Sequence, residues 1–449
     1  MLAPEEFGTA VAISVVLGLA ELVTDVALDR FVMVNSSPNA LSAAHVLVVV
    51  RGVLIALGLV ALAPAAAKLF GVPQFTGSFA LAAIVPLVQG FNHLSVKRMR
   101  LDFGYGPESI SQLASNLAAI VSLWVAVIVL HDHRAIVFSF ATESFVYMIL
   151  SHILAGAPYR LGTTKSTLHE ALSFGLPLTF NGIGLAVISQ LDRVLAGYWF
   201  GVETLATYAV ILSMSVAPAS AILAMFSPLG LSYFLSDENA SSTVFEKYRL
   251  LAFFFSTLSL LYVFFVVLTL DVLIPIIFGR AFSINPTVHV IIAAIVCLRL
   301  QRNGAPTTLL LAAGRTGQLA LLNLSTGFGL IIAVAMLFTR PTLESMLLGI
   351  LIGDVVAFVL FFGVAYRRTA PRRSEIVIDL AIAFVAPMLI VAALAWNPAH
   401  TWKARSLLFG IGLFAVCMQI AAQTYIYGRW PSSSLQPHVE GRRSASRLP

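Results

Sequence analysis

Arg51 is the residue in this sequence best placed to do chemistry. It stands between Val48-Val49-Val50 and Gly52-Val53-Leu54, inside an apolar run over 42–67. A guanidinium presents five N–H donors and a fixed charge, a pattern that matches phosphate oxygens. Within a run long enough to cross a bilayer such a group is costly, and it faces a cavity or a partner. At 1.5 Å per residue from Ser42, Arg51 lies ~13 Å into its span, and Glu21 lies ~10 Å from the same end of the preceding one. Consecutive spans pack as neighbours, so the two side chains are expected to meet. Two readings stay open: a cation for an anionic ligand, released when Glu21 takes a proton, or a fixed structural ion pair.

Two more acids fall mid-span, Glu143 in FSFATESFVYM and Asp354 in GILIGDVVAF. An isolated buried carboxylate tends to take up a proton. That suits ion or proton coupling, and equally a neutral carboxyl bonded to a facing helix. Asn181 follows Pro177 and adjoins Gly182, with Gly184 beyond. A proline break there would free backbone groups at mid-membrane, where transporters build sites; the alternative is a kink for packing. Arg299 and Arg302 are read at the end of a span over 286–304, as orientation anchors or as contacts for an entering phosphate. Gln89, Asn92 and His93 can bond sugar hydroxyls or one another. Asp192-Arg193 is read as the outer end of its span, with the arginine snorkelling. Gly349-x-x-x-Gly353 is a packing signal. His131-Asp132-His133 makes a poor metal site, so neither metal nor cofactor is assigned.

The elements that carry these residues are membrane helices. The chain is 59% hydrophobic and 11% charged, where a soluble protein would carry roughly 25% charge. Its apolar runs approach the length that spans a ~30 Å hydrocarbon core, and in lipid such runs must be helical to satisfy their own backbone. The reading is an all-α polytopic protein of about 13 transmembrane helices. They fall at 8–28, 42–67, 74–96, 108–130, 134–155, 168–192, 203–232, 248–271, 286–304, 316–338, 343–365, 377–395 and 404–428. Basic residues concentrate in alternate loops, which puts the C-terminus in the cytoplasm. No phosphate-binding Gly-x-x-x-x-Gly-Lys-Ser/Thr run occurs, no loop is long enough for a catalytic domain, and the net charge of +6 sits in loops rather than as a nucleic-acid patch.

Pro4-Glu5-Glu6-Phe7-Gly8-Thr9-Ala10-Val11 echoes Val202-Glu203-Thr204-Leu205-Ala206-Thr207-Tyr208-Ala209, sharing Glu5/Glu203 and Thr9/Thr207. The echo implies two related lobes: 1–160 with five helices and 161–370 with six, the first lobe lacking its opening helix. Residues 371–430 add two helices, and 431–449 read as a disordered cytoplasmic tail.

FGLPLTFNGIGLAVISQLDRVLAGYWFG, with LAPEEFGT, IIFGRAFSINP and LLLAAGRTGQLALLN, resembles the Wzx-type oligosaccharide flippases of polysaccharide biosynthesis, a branch of the MATE-like MOP superfamily. The resemblance implies a non-enzymatic transporter in the bacterial inner membrane, with two pseudo-symmetric lobes around a cavity. Its substrate would be an undecaprenyl-diphosphate-linked oligosaccharide, and its partners a polysaccharide polymerase and glycosyltransferases. In that frame Arg51, Asn181, Arg299 and Arg302 are candidates for binding substrate, and Glu21, Glu143 and Asp354 for ion coupling. A MATE-like cation or drug antiporter and a non-transporting scaffold of a glycan synthesis complex are the alternatives.

Overall fold

The computed structural model describes residues 2–35, 37–102, 104–235, 243–282 and 285–369. The two spans expected over 377–428 and the tail lie outside the described residues. α1 (Pro4–Val23) opens with proline, at a position whose N–H would have lacked a partner anyway. After a break at 24–27, where Ala27 takes a φ of 48°, the chain resumes as α2 (Leu28–Val34). α3 (Pro38–Leu69) runs for 32 residues, capped by Ser37, whose Oγ accepts the Ala40 N–H at 3.1 Å.

The span expected over 74–96 is a chain of short helices: α4 (Thr76–Leu81), α5 (Ile84–Gln89) and α6 (Ser95–Arg98). Ala83, Val85, Phe91 and Asn92 bond back three residues instead of four. Pro86 has no N–H to give the turn before it, and tighter i→i+3 bonding fills such interruptions. Then come α7 (Gly106–Leu130) and α8 (Arg134–Ile153), joined by a tight turn. α7 exposes Leu113, Leu117, Ile120, Trp124 and Ile128 along one stripe, the face of a helix that meets lipid.

α9 (Lys165–Leu235) contains two helices joined at Gly201, whose φ of 80° and ψ of 173° are open only to glycine. Tyr208 Oη bonds Asp192 Oδ2 at 2.8 Å, yet sixteen residues of straight helix span ~24 Å. The chain therefore folds back at Gly201, and the expected spans over 168–192 and 203–232 form a hairpin. The first arm runs helically through Pro177 to Phe200, so the break expected there does not occur. α10 (Thr243–Ile277), α11 (Pro286–Asn303), α12 (Ala305–Ala312), α13 (Thr316–Leu324), α14 (Gly327–Thr339) and α15 (Leu343–Thr369) follow.

Among the described residues nine helical segments are long and apolar enough to cross a membrane. The chain is thus a multi-pass, all-helical membrane protein. α11 and α12 lie end to end over Thr287–Ala312, and 89% of its apolar stretch is buried, the most enclosed of the nine. Around it Ile211, Leu260, Val263, Ala293 and Ala294 form the main core. α1 packs antiparallel to the first arm of α9, with Gly18 against Gln190, Gly8 against Val202 just past the Gly201 turn, and Val26 beyond the end of α1 against Gly175. The Gly349/Gly353 pair meets Ala333 and Gly329 of α14, the close approach that small residues permit.

Candidate functional site

Gly52 on α3 faces Gly90 past the end of α5, and a Cβ on Gly52 would stand 2.5 Å from the Pro86 carbonyl oxygen. Backbones can approach so closely only without side chains. That contact sets Arg51 beside Gln89, Asn92 and His93, which the interrupted helix presents. Together with Asp25, Asp29 and Lys97 they line a polar cavity of about 240 Å³.

Arg51 and Glu21 do meet, though not as carboxylate and guanidinium. Arg51 Nη2 donates to the main-chain carbonyl of Glu21 at 2.7 Å, and Nε to Thr24 Oγ1 at 3.3 Å. The break after α1 leaves carbonyls without helical partners, and Arg51 caps that end, where a cation also favours the helix dipole. Among the described residues no carboxylate lies within ion-pair distance of Arg51. Its donors meet neutral oxygens, while the Glu21 carboxyl lies within electrostatic range of the guanidinium without a direct ion pair. Gln89 reaches the Glu21 carboxyl, whose Oε1 is buried without a hydrogen bond. Glu143, half-buried on α8, lies within electrostatic range of Glu21. Asn92 Oδ1 is also buried and unbonded. Lys97 pairs with Asp29 at 3.9 Å.

The second polar centre corrects two expectations. α11 ends at Asn303, as expected, but after the break at Gly304 α12 extends the apolar segment to Ala312, so Arg299 and Arg302, near the end of their helix, lie in the middle of Thr287–Ala312 and not at its boundary. Asp354, expected to be isolated, is gripped by both. Arg299 Nε donates to Oδ2 and Arg302 Nη1 to Oδ1, each at 2.9 Å. The carboxylate is 2% exposed and the Arg302 side chain 8%, while Arg299 is 35% exposed. Arg302 also covers the Phe361 ring at 5.5 Å.

Asp192 and Arg193 require a third correction. The helix runs on to Phe200, which sets both ~12 Å inside its end. Asp192 accepts from Tyr208 and lies within electrostatic range of Arg299. Sequence reasoning missed Tyr208 because its link to Asp192 exists only once the hairpin closes. The one available signal was the glycine of Phe200-Gly201-Val202, midway between them.

The side chain of Asn181 lies outside the described residues. Its candidacy rested on a backbone break, and the backbone there is regular helix. Helix breaks near polar residues occur instead after α1, around α5 and at Gly304. No group of three or more His, Cys, Asp or Glu among the described residues is arranged to hold a metal ion.

A family model described as "Polysaccharide biosynthesis protein" matches residues 1–284. Among solved structures, the lipid II flippase MurJ in an inward closed conformation superposes with a TM-score of 0.69. Identity is 10%, and the match covers 95% of this chain and 94% of that one. A multidrug resistance MATE family transporter of the MOP superfamily, inward-facing, gives a TM-score of 0.59 at 14% identity, covering 82% and 91%. At these identities the likeness is one of fold. No curated protein sequence matches.

Proposed function

This chain belongs to the polysaccharide biosynthesis protein family, and on that footing we propose that it carries a lipid-linked oligosaccharide across the bacterial inner membrane for surface polysaccharide assembly. It works by alternating access, without catalysing a covalent step. Lobes over 1–160 and 161–370 rock about the space between them, and the C-terminus lies in the cytoplasm. Arg51, the unpaired cation of the polar cavity, carries the reading: it meets the diphosphate that joins lipid to sugar. Arg299, half-exposed at mid-membrane, is a second contact along the path, with Arg302 holding Asp354 behind it. Glu21 and Glu143 are the coupling acids. Both oxygens of Asp354 are engaged by arginines, so Asp354 takes a structural part.

The MATE-like fold also serves a multidrug resistance transporter, but a guanidinium at the cavity wall without a direct carboxylate partner favours an anionic group over a cationic drug. The test uses purified protein in liposomes with a fluorescent undecaprenyl-diphosphate oligosaccharide, its leaflet exchange read by quenching from outside. Exchange well above protein-free vesicles, lost in Arg51→Gln, is the expected result. Exchange no faster than in empty vesicles ends the proposal.

A further inference from the structure

At the Lys97 end of the bundle stands a histidine cluster that shares only His93 with the cavity above. His45 on α3 and His93 after α5 are 1% and 2% exposed, while His152 at the end of α8 is exposed. Ring centroids of His45 and His93 are 4.8 Å apart, and those of His93 and His152 5.2 Å. Tyr159 packs on all three at 4.4, 5.4 and 4.8 Å. It belongs to residues 154–164, the linker between α8 and α9.

The hydrogen bonds assign the protons. The Leu94 N–H donates to His45 Nε2 and the Ser95 N–H to His93 Nδ1, each at 3.2 Å. A ring nitrogen that accepts carries no hydrogen, so both imidazoles are neutral. The His45 proton is on Nδ1 and donates to the Arg160 carbonyl at 3.4 Å. The His93 proton is on Nε2, which is buried and unbonded, as is Tyr159 Oη. His152 Nε2 donates to the Phe91 carbonyl at 2.9 Å, and the His93 N–H to Ser151 Oγ at 3.0 Å. The cluster thereby ties α3, the turn over 90–95, the end of α8 and the linker to one another.

We propose that this cluster is a proton-binding site whose occupancy releases the 154–164 linker and the 90–95 turn from α3. A proton from water, entering by exposed His152 or through the cavity that His93 lines, adds to the lone pair of His45 Nε2 or His93 Nδ1. The new N–H then confronts the N–H of Leu94 or Ser95, and an attraction becomes a clash of two donors. The charged and titratable groups around it are named by the packing. Arg51 on α3, Asp25 before α2, Asp29 on α2, Lys97 on α6 and Tyr147 on α8 line the shared cavity, and Tyr159 and Arg160 come from the linker. Lys97 is paired with Asp29, Asp25 accepts the Ala27 N–H, and among the described residues no carboxylate is in ion-pair distance of the three imidazoles. The linker joins the two halves, so its release would free them to rock; that consequence rests on the proposed function, whereas proton-triggered release does not.

Hydrogen–deuterium exchange on the full chain in lipid nanodiscs, between pH 8 and pH 5 and corrected for intrinsic rate, tests the site. Peptides over 90–98 and 154–164 are expected to lose protection by about tenfold per pH unit below the midpoint, the slope of one linked proton. Peptides of α14 and α15 should not change. In the His45→Gln/His93→Gln variant the amide oxygens can still accept but do not titrate, and the pH dependence should vanish. A flat wild-type profile overturns the site, and so does a double variant that keeps the wild-type slope. The wild-type profile decides even where the variant fails to fold. Transport is not read, so either outcome leaves the proposed function to its own test.

Discussion

Arg299 of α11 donates to Asp354 of α15 at 2.9 Å, and Arg302 takes the other oxygen. A buried ion group is weak ground for net stability, but removing one member strands the rest. Asp354→Asn would leave two guanidiniums facing a neutral amide. The expected loss is about 3–5 kcal/mol, read as a fall in thermal midpoint in detergent. Adding Arg302→Met should recover part of it, and a double-mutant cycle measures how much. Additive losses would mean that the groups do not act together.

Arg51 caps α1 and is proposed to bind phosphate, and a pair of variants separates the two roles. Arg51→Gln keeps an N–H donor for the Glu21 carbonyl and removes the charge; Arg51→Leu removes both. The glutamine variant should stay within about 1 kcal/mol of wild type in stability while losing binding to diphosphate lipid in a nanodisc titration. Full binding by Arg51→Gln would reduce Arg51 to the cap of α1.

The Gly52–Gly90 approach is a steric prediction. Gly52→Val places its Cβ against the Pro86 carbonyl and the Gly90 backbone, and neither can yield as a side-chain tip would. Overpacking of this kind costs typically 1–3 kcal/mol (about that here), and it should push Gln89, Asn92 and His93 away from Arg51. Loss of substrate binding beyond the loss of folded protein is the expected signature. A variant with native binding would show that this contact does not shape the cavity.

At the opposite end of the helices, His133 is held by Glu6 and Ser78. The Nδ1–H and the main-chain N–H both donate to Glu6 Oε2, at 2.6 and 2.8 Å, and the Ser78 hydroxyl lies 2.7 Å from Nε2. Glu6→Ala should expose α1 and α4 to faster hydrogen exchange and destabilise by about 1–3 kcal/mol, the cost of leaving a buried donor unmet. Unchanged exchange in both helices would show that the tie is ornamental.

Composition and run length settled the membrane class, because a chain so apolar has no other way to satisfy its backbone and bury its side chains. The sequence also marked Arg51, Glu21, Glu143, Asp354, Arg299 and Arg302, since a charge inside an apolar run is visible without any fold. What each charge touches was not legible. Arg51 found a carbonyl freed by the break after α1, which no proline or glycine announces. Asp354 found its arginines only because α11 packs against α15, and Asp192 found Tyr208 only because the chain doubles back at Gly201. His45, His93 and His152 lie far apart along the chain and share no motif. A sequence shows the cost of a buried polar group at its own position, whereas the partner that offsets the cost comes from another helix, and only packing brings the two together.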